Sequence, residues 1–571
     1  MMTKNTYRKW IVLPLAGMIF FAGCAGQTQG TAQESPNQTE TAVSDNTAQT
    51  VAGNTSETTE GTTLVYNEEM FTKRDFETSY SDYVTVELKD NATSAFSGVT
   101  VNGNVITVSE AGTYYLTGSL SNGQIVVNVA DTDKVQLVLD GVTVNCEGSA
   151  ALYVLSADKV FVTTVKGTVS KFSSTGEYVD TDGNGVDAAI FSKDDLTLNG
   201  EGTLQAQSET GHGIVSKDDL KITSGTYEIE AAKNGLRAND SVRIADGTIT
   251  IEAGTDGIHC ENTEDTSKGY VYIADGTINI TAGTDGIDAS GDVVIKDGDV
   301  NVETAGGSTG AVTNSNQFGG MGWEGMNWNT TSSSASTESA KGIKSDGTIT
   351  VSGGNVKVDS SDDGIHSNGS IVLDGGTVDI ASDDDGIHAD YELTVNAGEI
   401  TVTAGEGLEA TLITINGGNI EINASDDGVN AAQKVSGYTP CFTMNDGVLT
   451  VNMGQGDTDA IDSNGNIVIN GGTIYITAQS PFDYDGSAQL NGGEVYVNGT
   501  KMTQLTNQFG GMGGNMGGMY GQNGQTNGQD PFQPADPSQN GGSFPQDPSN
   551  GGGFPGGQGG GFPGGNGGPH R

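Results

Sequence analysis

The sequence predicts an all-β fold, a parallel β-solenoid built from coils of 21–22 residues. Three observations predict it: a short phrase that recurs at a fixed interval, paired runs of alternating hydrophobicity inside every interval, and a long stretch without proline.

The phrase is an acidic residue, glycine, an aliphatic residue and a polar residue. It reads Asp256-Gly257-Ile258-His259, Asp285-Gly286-Ile287-Asp288, Asp363-Gly364-Ile365-His366 and Asp385-Gly386-Ile387-His388, with looser copies around Leu408, Val429 and Ile461. The central aliphatics fall at 190, 214, 236, 258, 287, 343, 365, 387, 408, 429 and 461, with Phe482 last. The commonest spacings are 21 and 22, and the longer ones are multiples with insertions. A period this short leaves no room for a helix. Within it, Ile371-Val-Leu-Asp-Gly-Gly-Thr-Val-Asp-Ile380 shows two period-two runs joined by a Gly-Gly corner, so short strands turn and stack on their successors. The glycines are expected at corners that need positive φ. No proline lies between Pro36 and Pro440, as paired central strands require. Residues 105–170 are less regular but keep strand patterning and read as the first turns of the same array.

Taken in chain order, residues 1–23 read as an export signal: Lys4, Arg8 and Lys9 precede the apolar stretch 11–22, which is too short to span a bilayer. Phe21-Ala22-Gly23-Cys24 resembles a bacterial lipobox, which makes Cys24 the expected lipidation site and places the protein at the cell membrane, lipid-anchored and facing outward. Residues 24–65, rich in Ser, Thr and Gln, read as a disordered tether. Residues 66–504 are assigned to the solenoid, with a Gly/Met/Trp-rich insertion at 305–340, and 505–571 to a low-complexity Gly/Pro-rich tail. Cys146, Cys260 and Cys441 lack metal-ligand spacing and are expected as buried thiols.

Charge narrows the function. Twenty-four basic against 73 acidic residues give −49, and removal of the signal would make it −49 − 3 = −52. That balance argues against nucleic-acid binding, which needs clustered Lys and Arg. Stacking places equivalent residues about 4.8 Å apart. The ladder two positions before the aliphatic carries Asp256, Asp285, Asp363, Asp385, Glu406, Asp427 and Asp459; the ladder just after it carries His259, His366, His388 and Glu409. Carboxylates stacked this closely repel, and a divalent cation relieves the repulsion. Calcium takes 6–8 hard oxygen ligands. Asp256, Asp285, Asp363, Asp384, Asp385, Glu406, Asp427 and Asp459 are therefore the candidate Ca2+ ligands. His259, His366, His388 and Glu409 are candidate ligand-binding groups facing solvent; His366 and His388 alone do not close a zinc site. Trp323 and Trp328, both in the insertion, are candidate sugar-stacking groups.

Ser-Ala-Lys-Gly-Ile-Lys (339–344), Asp-Gly-Ile-His-Ala (385–389), Glu-Gly-Leu-Glu-Ala (406–410), Asp-Asp-Gly-Val-Asn-Ala-Ala (426–432), Phe-Asp-Tyr-Asp-Gly (482–486) and the twin Ile-Phe-Ser-Lys-Asp-Asp-Leu (190–196) and Ile-Val-Ser-Lys-Asp-Asp-Leu (214–220) resemble one family. It is the family of bacterial cell-surface carbohydrate-binding proteins with a right-handed parallel β-helix, similar in fold to pectate lyases. The resemblance spans roughly residues 80–500. It implies calcium on the helix and affinity for plant-wall or acidic polysaccharides; a monomer is expected. Three readings stay open: a non-catalytic polysaccharide-binding lipoprotein, which is preferred; a calcium-dependent lyase acting by β-elimination, with Lys341, Lys344 or Arg237 as base; and a structural adhesin. Against the lyase stands the simpler role of those cations, neutralising neighbouring carboxylates.

Overall fold

The computed structural model describes residues 70–309, 340–454 and 458–507. The chain divides into Met1–Gly511 and Met512–Arg571, and every described residue lies in the first unit. The fold is all-β: the described residues form 45 strands and no α-helix. Nearly all pairing is parallel, most strands bonding to the third one before and after them in the chain, or to the second where two strands of a rung run together as one. Thr226–Ala231, Leu236–Ala238 and Ser241–Ile244 make one rung, and each lies under its counterpart in the next: Thr248–Ala253, Ile258–Cys260 and Tyr270–Ile273. Antiparallel ladders occur at the two ends, where Val99–Asn102 pairs with Val105–Val108 and Glu494–Val497 with Thr500–Lys501.

Period-two alternation decides what faces inward. In Thr377–Ser382, Val378 and Ile380 are buried while Thr377 and Asp379 are exposed. The central aliphatics form one continuous stack: Ile343 pairs with Ile365, Ile365 with Ile387, Ile387 with Leu408 and Leu408 with Val429, all wholly buried. Burying one such side chain contributes about 1.5–3 kcal/mol, and the repetition sums it along the array. Serines that follow two residues later also face inward without orphaned hydroxyls; Ser345 donates to the Gly291 carbonyl and Ser367 to that of Gly347. At one corner a side-chain ladder runs from Asp374 through Asn396, Asn416, Asn445 and Asn470 to Asn491, each amide donating to the residue below.

Glycine serves two different purposes. The second glycine of the Gly-Gly corners takes positive φ, +75° at Gly354 and +83° at Gly376. The glycine of the Asp-Gly-Ile phrase does not. A Cβ on Gly364 would press into Ile380 Cγ2 and lie 2.6 Å from the Gly386 carbonyl oxygen, so close approach of successive rungs requires glycine there.

Two further features differ from the sequence reading. The outward ladder is covered at its beginning: Phe191 and Val215 are wholly buried under Tyr153, Ala150 and Val186 in a second, smaller apolar cluster. An N-terminal strap also crosses the outer face of the array. Its Asp75 is wholly buried, bound to Lys159 Nζ at 2.8 Å and to Thr197 Oγ1 at 2.9 Å, and its carbonyl accepts from Asn199 and Thr223. Arg243 donates to the Met70 carbonyl, and Met70 packs with Tyr270, Tyr272 and Val294. Cys146, Cys260 and Cys441 are all buried, and Cys146 and Cys260 are free thiols.

Candidate functional site

The two charged ladders of the sequence lie side by side. Arg237 pairs with His259, His259 with Asp288, Asp288 with Lys344, Lys344 with His366, His366 with His388, His388 with Glu409, and Glu409 with Asn430. In Asp-Gly-Ile-His the isoleucine points into the core, which leaves Asp and His flanking it on the outer side. The consequence is a repeated contact: His259 Nδ1 lies 3.1 Å from Asp256, His366 Nδ1 2.7 Å from Asp363, and His388 Nδ1 2.8 Å from Asp385.

These groups are less solvent-facing than the alternation predicts. Side-chain exposure is 16% for His259, 14% for His366, 11% for His388 and 5% for Glu409. Each is held by carboxylates or a lysine, so what they present to solvent is a rim.

The stripe divides electrostatically into two stretches. From Asp256 to His366 the acids have cationic partners. Lys341 Nζ sits 2.6 Å from Asp363 and 3.2 Å from Asp362; Lys344 Nζ sits 3.0 Å from Asp288 and 3.3 Å from Asp285. Burial opposes the charge on Asp363, but hydrogen bonds from His366 and Lys341 outweigh it and hold the carboxyl well below its ordinary value. Burial likewise opposes the charged ring of His259, yet the bonds with Asp256 and Asp288 push it up to about 9. Asp285 is the exception: burial outweighs the Lys341 backbone bond and Lys344, and raises it to about 6.

From Asp385 onward the acids outnumber their partners. Lys434 is the nearby cation, its Nζ 2.7 Å from Glu409, while burial lowers the His388 imidazole below its ordinary value. Burial, then the Asp363 and Glu406 carboxylates, raise Asp385 to about 7. Burial, against the Asp459 backbone N–H and with Glu406 and Asp462, raises Asp427 to about 7. Burial, then Asp483 and Asp459, raise Asp462 to about 6. Glu406 and Glu409 are also raised, chiefly by burial. Asn430 donates to both glutamates, while its own Oδ1 is buried without a hydrogen-bond partner, as is Thr458 Oγ1. Crowded, under-neutralised carboxylates with spare neutral oxygens fit a hard divalent cation, so Asp385, Glu406, Glu409, Asp427 and Asp459 suit calcium. Asp256 and Asp363, already paired with His and Lys, suit it less. Asp384 is exposed at the junction, one carboxylate oxygen within 4.8 Å of those of Asp362 and Asp363, a hollow that Lys341 already reaches.

Asp363, His366 and His388 also bring ligand atoms within 4.8 Å of one another, and the two rings lie 4.6 Å apart. Each ring directs Nδ1 at its own aspartate. Cys24, Trp323 and Trp328 lie outside the described residues. Sequence reasoning missed Lys434, Thr458 and the role of Asn430: Lys434 and Thr458 belong to no repeated phrase, and an asparagine on the acidic ladder reads as a mere gap in the charge.

A stack of parallel rungs with one polar stripe defines a class of repeat proteins that present an extended surface. The family model for carbohydrate-binding domain-containing proteins matches residues 102–386 and 368–460, and the chain belongs to that family. A carbohydrate-binding domain-containing protein of Acetivibrio thermocellus is 39% identical over 211 residues, 37% of this chain and 74% of that protein. Among solved structures, the polysaccharide lyase-like protein from C. thermocellum, a gadolinium derivative, is 36% identical with a TM-score of 0.38, covering 39% of this chain and 91% of that one.

Proposed function

We propose that this chain binds polysaccharide without cleaving it, in a calcium-dependent manner, at the outer surface of a bacterial cell. The ligand class is an acidic, uronate-containing or plant-wall glycan, the array is a right-handed parallel β-helix with coils of 21–22 residues, and the working form is a monomer tethered through lipidated Cys24. The observation that carries the reading is the under-neutralised run Asp385, Glu406, Glu409 and Asp427. Calcium held there leaves coordination positions toward solvent, and a uronate carboxylate is a hard oxygen ligand able to fill them. Membership of a carbohydrate-binding family supports the polymer as ligand. The non-catalytic half of the reading is supported by two of the three candidate bases, Lys341 and Lys344, each of which is engaged by two aspartates; the third, Arg237, forms no ion pair among the described residues.

The test is retention of polygalacturonate by the purified protein in calcium and in chelator, with ultraviolet absorbance followed for unsaturated product. Retention markedly stronger in calcium than in chelator, with no absorbance change, is the expected result. Absorbance growth identifies a lyase, and absence of retention in both buffers overturns the reading.

A further inference from the structure

Arg237 is anomalous. The protein carries −49, yet among the described residues this guanidinium forms no ion pair, and its Nε is buried without a hydrogen-bond partner. The other two described arginines are engaged: Arg74 with Glu77 and Gln136, Arg243 with Asp219, Ser241 and the Met70 carbonyl. Arg237 is thus not the neutraliser of a neighbouring carboxylate that the ladder pattern suggests.

The acids around it are already occupied. Asp256 is paired with His259 at 3.1 Å, Glu261 with the same ring at 3.5 Å, and Asp187 with His212 at 3.4 Å and Lys233 at 3.7 Å. A second cation without a direct ion pair stands nearby. Lys217 has no carboxylate partner among the described residues, and its Nζ lies 5.6 Å from the Phe191 ring. Burial, then the charge of Arg237, lowers its pKa, with Asp187 opposing.

Two hollows meet at Arg237. One of about 370 Å³ is lined by Lys217, Arg237, Asn239, Glu261, Asn262 and Thr263. The other, about 540 Å³, runs along the rungs past His212, Lys233, Asn234 and Thr255. Amide and hydroxyl groups beside two free cations match a ligand with one carboxylate and several hydroxyls. Glu261 and the exposed Glu264 on the rim disfavour a densely charged phosphate or sulfate.

We infer that Arg237 and Lys217 form a carboxylate-recognition subsite for a uronate unit, independent of calcium and separate from the acidic run at 385–459. Arg237 would take the carboxylate through paired N–H donors, a planar match that lysine cannot reproduce. This rests on the polysaccharide reading above and adds a second kind of contact to it.

The test uses the full chain in chelator and a galacturonate oligosaccharide, with its methyl ester as the uncharged control. Binding is expected to persist in the wild type, to weaken about tenfold or more in Arg237→Gln and to a lesser degree in Arg237→Lys, with ester binding equal in all three. Because Arg237 makes no ion pair, the urea midpoint of Arg237→Gln should match wild type. Equal affinity of Arg237→Gln and wild type, or loss of all binding in chelator, overturns the subsite; if calcium-dependent retention survives, only the subsite has failed. If the wild type binds no polymer in either buffer, the proposed function fails instead. The Nε–H resonance of Arg237, one of five arginines in the chain, then decides the subsite: a shift with monomeric galacturonate but not galactose supports it, and no shift overturns it.

Discussion

Lys341 reaches one rung along the stripe to Asp363, its Nζ 2.6 Å from Oδ2, and the two side chains are only 15% and 4% exposed. A pair this sheltered is costly to break from one side. Lys341→Met leaves Asp363 buried with only His366 and the Asp385 backbone N–H as partners, and should lower the unfolding free energy by about 3 kcal/mol in urea titrations at neutral pH. Adding Asp363→Asn should recover most of the loss. An unchanged midpoint in the single variant would show that solvent already compensates Asp363.

Calcium should raise the melting temperature relative to chelator. A ligand that binds only the folded state contributes about 2.7 kcal/mol at a hundredfold excess over its Kd. Asp427→Asn or Glu406→Gln should remove most of that response, whereas Asp256→Asn should retain it, because Asp256 is already satisfied by His259. Equal calcium responses in all three variants would place the ion elsewhere.

Asp218 offers a pH test away from the stripe. Burial, followed by the Asp240, Asp195 and Asp194 carboxylates, raises it to about 6, with Lys268 opposing. An acid raised above its unfolded value holds its proton more tightly in the fold. It is therefore neutral in cost below about pH 4, and destabilises increasingly as pH rises through 6. Asp218→Asn should match wild type at pH 4 and be more stable by about 1 kcal/mol at pH 8, a value discounted for partial solvent access. A pH-independent difference would assign the effect to packing.

Cys24→Ala should release the protein from membranes or leave its signal uncleaved. Mass spectrometry of the wild-type amino terminus should find an acylated Cys24. A Cys24 recovered unmodified or in a disulfide would overturn the lipid anchor.

The stacking register was legible because it depends on spacing alone: Ile343, Ile365 and Ile387 repeat every 22 positions, and they pair in that order. The two charged ladders follow from the same count. What the count cannot supply is which acids are neutralised. Glu409 is reached by Lys434, from a segment outside the repeat, and His259 closes on Asp256 and Asp288 together because two rungs converge on one ring. The glycine of Asp-Gly-Ile was read as a turn former, but its reason is the next rung, where Ile380 and the Gly386 carbonyl both press on it. Phe191 and Val215 lie on the outer ladder by count, yet Tyr153 covers them from a rung whose sequence carries no phrase.

Stacked rungs touch only their neighbours, so such arrays ordinarily lose order piecemeal from their ends. The strap at Met70–Asp75 changes this over part of the chain. Its bonds to Thr197, Thr223, Arg243 and Tyr270 span 122 to 200 positions, and they cross successive rungs at once. The strap is synthesised first but can close only when every rung from Lys159 to Tyr270 has stacked in correct alignment. Closure therefore acts as a late inspection of that alignment, since a slip of one rung would leave Asp75 buried without Lys159 or Thr197. Amide exchange in that block should proceed by a single concerted opening, while the rungs beyond Ile343, which no strap crosses among the described residues, should release their amides in sequence from the far end.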